Sequence, residues 1–251
     1  TGILAMTTVG PVTLAGAYFN QTNLDQSGDN VGLFNAASPL TKKSGDEDIA
    51  TAGAITTLGP VTLDAWYLDA QDIFDSYTVG AKAATELSGV KLGADARWAS
   101  LEEDDADDKN TIAKIALTAD AGLVDGKLAY AKTGEDGGLT ALDNDATTTL
   151  LGWSLTANGK ADADYVQAVL GFDILSNLNL SANYGNIEWT PADNTTQEQE
   201  EVYAQLLYKM SKNLTTYVRY GTYTDETTEA GNATTEANDD TRGRLQVEYT
   251  F

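Results

Sequence analysis

The residues able to do chemistry in this chain are lysines, arginines and carboxylates placed at every second position of short apolar stretches. Lys91, Asp95 and Arg97 interleave with Val90, Leu92, Ala94, Ala96 and Trp98. Lys114 and Asp120 interleave with Ala113, Ile115, Leu117 and Ala119, and Asp173 lies between Phe172 and Ile174. Asp64, Lys82, Lys209 and Arg219 repeat the arrangement. At the C-terminal end Arg242, Arg244, Gln246 and Glu248 oppose Leu245, Val247, Tyr249 and Phe251. Successive side chains of a strand point to opposite faces, so each stretch is a ribbon with one charged and one apolar wall. Basic and acidic groups on a wetted wall orient passing dipoles and bias ion passage. A wall whose charges only pair with one another has the same spacing. Both readings stand at this point.

Other chemistries are excluded more firmly. Histidine and cysteine are both absent, which removes the commonest acid–base residue, the commonest transition-metal ligand and all thiol chemistry. No nucleophile elbow, zinc motif, phosphate loop or dinucleotide fingerprint is present. Among 251 residues, 38 acids outnumber 15 basic residues, for a net charge of -23. That field repels nucleic acid and concentrates cations near any opening the protein makes.

The elements that must position these charges read as strands throughout. Alternating runs such as Val166–Ile174, Leu178–Tyr184, Val202–Met210 and Leu214–Tyr220 are separated by Gly, Asn, Asp and Pro. Short links at 9–11, 58–60, 87–89, 124–126, 176–177 and 211–213 take turns with longer polar ones at 20–48, 69–75, 102–110, 135–163, 190–201 and 225–241. Short turns at one end and long loops at the other are the rhythm of an antiparallel transmembrane β-barrel, and a soluble sandwich has no reason to keep it. No apolar run approaches a transmembrane helix, which does not bear on a barrel. Thr8–Leu14 is echoed by Thr57–Leu63, each copy followed by an aromatic pair, as repeated hairpins would be. Tyr77, Tyr184, Tyr208, Tyr220, Tyr249 and Phe251 fall near strand ends on apolar faces, where aromatic girdles lie.

Counting back from a periplasmic Phe251 gives about thirteen strands, the first near Gly2–Val9 and already running inward. A single-chain barrel with an even strand number then needs strands upstream, so we expect residues 1–251 to be one barrel domain, the C-terminal part of a larger barrel. A further strand at 147–158 would make the count even but break the turn rhythm.

The two longest links are candidates for folding into the pore. The 135–163 link holds Leu150, Leu151 and Trp153 inside polar surroundings, and buried lumen wall would receive them. Asp143, Asp145 and Trp153 are its constriction candidates, with packing on the barrel rim or a neighbouring subunit as the rival. The 20–48 link, with Val31, Leu33, Phe34 and Leu40, has the same two options. The acidic run Glu102–Asp108 lacks the spacing and glycine of a calcium loop and reads first as a solvated loop.

Three features together resemble a known family: Leu14–Phe19, the segment Gly171–Tyr184 and the terminal Phe251. They are similar to the major outer-membrane porins of the Campylobacter group, related in architecture to OprD-like channels. The resemblance implies a barrel of about 18 strands, usually trimeric, that passes cations and small hydrophilic solutes and is narrowed by inward loops. It requires no cofactor and implies calcium as an optional bound ion. The chain departs from it by lacking about five strands at the front, including the loop that usually forms the main constriction.

The expectation is a passive, cation-preferring outer-membrane porin set in lipid, with no enzymatic role. Small outward residues at Ala81, Ala83, Ala94, Ala96, Ala113 and Ala119 mark residues 76–121 as the face toward another subunit, and the strands after 163 as facing lipid. The alternatives are a surface or secreted β-rich adhesion protein without a pore, a barrel hydrolase, and an autotransporter barrel.

Overall fold

The computed structural model describes residues 1–20, 48–104, 109–190, 195–228 and 235–250, with no side-chain account of 235–237. Phe251, the 21–47 stretch with its four apolar residues, and Asp105–Asp108 lie outside the described residues. Thirteen strands form one sheet in which each pairs antiparallel with its sequence neighbours. They are β1 (Gly2–Val9), β2 (Val12–Phe19), β3 (Ile49–Leu58), β4 (Val61–Ala70), β5 (Phe74–Leu87), β6 (Val90–Glu103) and β7 (Lys109–Asp120). They continue as β8 (Val124–Thr133), β9 (Asp164–Leu175), β10 (Leu178–Trp189), β11 (Thr196–Lys209), β12 (Leu214–Thr228) and β13 (Thr235–Tyr249). Among the described residues β1 and β13 are not paired with each other. The count and the position of β1 agree with the sequence reading. Residues 147–158 add no strand to the sheet and hold one isolated bridge, Leu151 with Thr156.

Register carries the two-faced pattern across the sheet. Arg97 stands opposite Lys114, Lys91 opposite Asp120, and Arg219 opposite Arg244. Asp64, Gly80 and Arg97 share one row. The opposite face is apolar and exposed: Leu92, Leu117, Leu128, Phe172, Leu206 and Val218 lie on it, with Leu170 61% and Leu245 72% exposed. Leaving one such side chain in water forgoes about 1.5–3 kcal/mol, so a whole wall of them is unsuited to water and suited to lipid. Most strands have the roughly 9–11 residues that a tilted membrane crossing requires, or more.

On this outward face, toward the side of the long links, tyrosine hydroxyls donate to carboxylates on neighbouring chain. Tyr18 donates to Asp48 (2.5 Å), Tyr67 to Asp75 (2.6 Å), Tyr130 to Asp164, and Tyr184 to Glu200 (3.1 Å). The ring lies in an apolar layer while the hydroxyl reaches a polar one, as amphipathic aromatics do at a membrane boundary.

The structure corrects several boundaries. The link expected at 124–126 lies at 121–123, because Gly122 takes the left-handed conformation (φ 88°) and its N–H is bound by the Asp120 carboxylate at 2.8 Å. Lys127 is therefore well inside β8. The links expected at 69–75, 190–201 and 225–241 are shorter, since strands run on into them. The residues concerned, such as Gln197, Glu198, Gln199 and Glu200, are polar on both faces. They pair with β10 and β12 without any apolar alternation to announce it.

Candidate functional site

All twelve charged residues singled out above, Asp64, Lys91, Asp95, Arg97, Lys114, Asp120, Asp173, Lys209, Arg219, Arg242, Arg244 and Glu248, lie on one face by register. Residues 134–163 fold back over that same face. Leu150, Leu155 and Ala157 are buried with Ala99, Ile112, Ala131, Tyr165, Ile187 and Tyr223 of the wall. Leu139 and Leu142 pack on a second cluster formed by Ala70, Ile73, Phe74 and Leu101. The segment thus reaches from the β4–β5 side of the wall to β13.

Polar ties hold it along the way. Lys114 donates to the Thr147 carbonyl, and Gln167 Nε2 to the Leu151 carbonyl at 3.0 Å. The Glu201 carboxylate takes one N–H on each oxygen, from Trp153 (2.7 Å) and Ser154 (2.8 Å). Arg242 donates to Ser154 Oγ at 3.1 Å. Lys160 stands 3.6 Å over the Trp189 ring, and burial pushes its ammonium below the ordinary lysine range against the pull of Asp225.

The constriction candidates separate. Trp153 is in the thick of the contact: its ring meets Tyr203 edge-on at 5.2 Å. Asp143 caps its own loop, accepting from the Asp145 N–H at 3.2 Å, and Asp145 is exposed. Leu150 is buried whereas Leu151, expected beside it, is exposed.

Two charged groups on the wall differ in kind. In the first, Arg97 donates to both oxygens of Asp64, two strands away, at 3.2 Å each, and through Nε to Asp95 at 3.0 Å. The reach is open because position 80 has no side chain, and a Cβ there would lie 2.7 Å from both the guanidinium and the carboxylate. Lys82 adds a longer pair to Asp95, 3.7 Å. Beside it a recess of about 450 Å³ is lined in part by Lys82, Asp95, Lys114 and Lys127.

In the second, Arg219 donates Nε to the Gln205 amide oxygen at 2.6 Å and lies 4.6 to 5.8 Å from the rings of Tyr217, Tyr203 and Trp153. Arg244 is its cross-strand neighbour. Among the described residues no carboxylate forms an ion pair with either. Arg242, over the Tyr223 ring at 3.7 Å, pairs with Asp240 at 3.1 Å. Like charges directly opposite on a ladder repel, and here the buried Glu201 carboxylate attracts Arg219 and Arg242 without forming an ion pair with either.

Asp173, Lys209 and Glu248 lie nearer the short turns, away from the folded-back segment, with Asp173 held by Asn179 at 2.8 Å. Alternation puts Gln167 and Gln205 on the polar wall without singling them out, and the sequence reading missed Glu201 and Lys127. Glu201 had been placed in a link, yet it continues the alternation of Tyr203 and Gln205 by one step. Among the described residues no group of three acidic side chains is arranged to hold a metal ion.

Neither a protein-family model nor a curated protein sequence matches the chain. Solved structures do. The Pseudomonas aeruginosa outer membrane protein OpdK aligns over 99% of this chain and 68% of its own, with TM-score 0.73 and 18% identity. Pseudomonas aeruginosa OccK10 (OpdN) aligns over 100% and 72%, with TM-score 0.73 and 13% identity. Acinetobacter baumannii OccAB3 aligns over 99% and 67%, with TM-score 0.72 and 17% identity. OpdK has also been solved with vanillate. The OprD-like part of the expected resemblance is thus met in fold, and nothing in these matches points to the Campylobacter group. The chain has the all-β fold of outer-membrane β-barrel proteins and spans about two thirds of their length.

Proposed function

We propose that this chain is part of an outer-membrane channel through which ions and small hydrophilic solutes diffuse passively, with a preference for cations. The observation that carries the reading is the two-faced wall: exposed apolar side chains outside, and charged ladders inside with residues 134–163 folded across them. The folded-back segment is the constriction, with Trp153 at its contact with the wall and Asp143 and Asp145 on its solvent side. Cation preference rests on the excess of acids over basic residues in the chain. β1 and β13 both run toward the short-turn side, so closure by antiparallel pairing takes an odd number of further strands between them. The small outward residues of β5–β7 are the trimer face. No enzymatic step is invoked. Calcium, where it binds, neutralises carboxylates outside the wall.

A second reading is favoured by the Arg219 corner. Arg219, ringed by Trp153, Tyr203 and Tyr217 and, among the described residues, ion-paired with no carboxylate, suits a solute with an aromatic body and a carboxylate, as vanillate is, and Arg244 adds a second positive charge across the strand. Single-channel recording of the full-length protein in planar bilayers under a potassium chloride gradient decides between them. A reversal potential on the potassium side supports cation preference. One on the chloride side overturns it in favour of the second reading, and an inert protein sinks both.

A further inference from the structure

Glu201 is 2% exposed, an unusual place for a carboxylate on a wall otherwise wetted. Its two oxygens take the consecutive N–H groups of Trp153 and Ser154, at 2.7 and 2.8 Å. The neighbouring position must be glycine for this grip to close. A Cβ at Gly152 would lie 2.0 Å from Glu201 Oε1 and 2.6 Å from the Tyr165 hydroxyl. The grip also sets Trp153 against Tyr203 and Arg219, and brings Ser154 to Arg242. One carboxylate therefore fixes the folded-back segment and at the same time stands as the buried negative charge near the arginine corner.

We infer that Glu201 is a positioning and selectivity-setting residue: it latches residues 150–157 into the lumen and offsets the positive charge of Arg219 and Arg242. The inference rests on the channel reading above for its electrical consequences, but the latch itself is a matter of contact alone. Two substitutions separate its two roles. Glu201→Gln removes the charge and weakens both hydrogen bonds, because a neutral amide supplies one acceptor oxygen and a clashing donor. Gly152→Ala keeps the charge and breaks the grip by size.

The first measurement needs no conduction. In detergent-refolded full-length protein, chymotrypsin cleavage after Trp153, followed by mass spectrometry, is expected to be about tenfold faster in both variants, since hydrogen bonds to a charged group are the main restraint lost. Heat-modifiable migration of both variants at the wild-type position shows that the barrel itself is intact. If either variant fails to refold, the other decides. Cleavage at the wild-type rate in an intact barrel overturns the latch, whatever the protein conducts.

The second measurement is electrical. Both variants are expected to show roughly 1.5-fold larger single-channel conductance, and only Glu201→Gln a reversal potential displaced toward chloride. Faster cleavage without any wild-type conductance leaves the latch standing and overturns the channel reading. An unchanged reversal potential in a conducting Glu201→Gln barrel overturns the selectivity role.

Discussion

Arg97 and Arg219 face the same side of the same sheet, yet one is committed and the other is available. Arg97 has all of its guanidinium edges directed at Asp64 and Asp95, and its side chain is 8% exposed. Arg219 has an amide, three aromatic rings and a second arginine for neighbours, with the Glu201 carboxylate acting on it only from a distance. The difference comes from what stands between the strands. A missing side chain at position 80 lets a carboxylate two strands away come within reach, whereas Gln205 and Arg244 flank Arg219 with no negative charge to offer. An arginine on this face is thus tied to carboxylates or left without an ion pair according to its cross-strand partners, not its own position.

The largest effect that would break this contrast is on stability. Arg97→Ala leaves the largely buried Asp64 without its partner and Asp95 with only the longer Lys82 pair, and is expected to cost about 3 kcal/mol in denaturant unfolding from detergent. A change near zero would mean that the pair is solvated and that the two arginines are alike. Next comes binding. Arg219→Gln is expected to weaken an aromatic carboxylate's block of the current by roughly tenfold or more, as loss of a charge-assisted contact does, while the unfolding midpoint stays put. Block unaffected by the substitution would remove Arg219 from the solute path. The smallest effect is expected at Lys91, whose pair with Asp120 (3.4 Å) lies in the open. Lys91→Ala is expected to leave the unfolding midpoint unmoved, and a clear drop would show that exposed pairs on this wall carry load as the Arg97 cluster does.

Much of the wall was legible in the sequence because period-two alternation assigns a face residue by residue, and register in the sheet preserves it. That is why Asp64 and Arg244, far apart in the chain, were both placed on the inner side. The alternation fades where both faces are polar, so the upper parts of β11 and β12 and the residue Glu201 read as loop. Lys127 was lost to a turn placed three residues late, a matter of which glycine takes the left-handed conformation. Partnership is not written in alternation at all. Asp64 with Arg97 depends on Gly80, and Trp153 depends on a carboxylate 48 positions away. The folded-back segment was recognisable from apolar residues inside a polar link, but its seat on the wall follows from tertiary contact.

The tyrosine–carboxylate pairs have a consequence for the outline of the mouth. If they mark one waterline, the wall above it is uneven. Val202 stands level with Tyr184, and β11 continues from there to Thr196, about 20 Å of extended chain. β4 passes Tyr67 only as far as Ala70, about 10 Å. The described strands thus reach unequally far past the tyrosines, further in β11 and β12 than in β4. On the channel reading, a solute that approaches over β11 passes Glu198 and Glu200 before it reaches the tyrosine layer, whereas along β4 that layer lies three residues from the end of the strand.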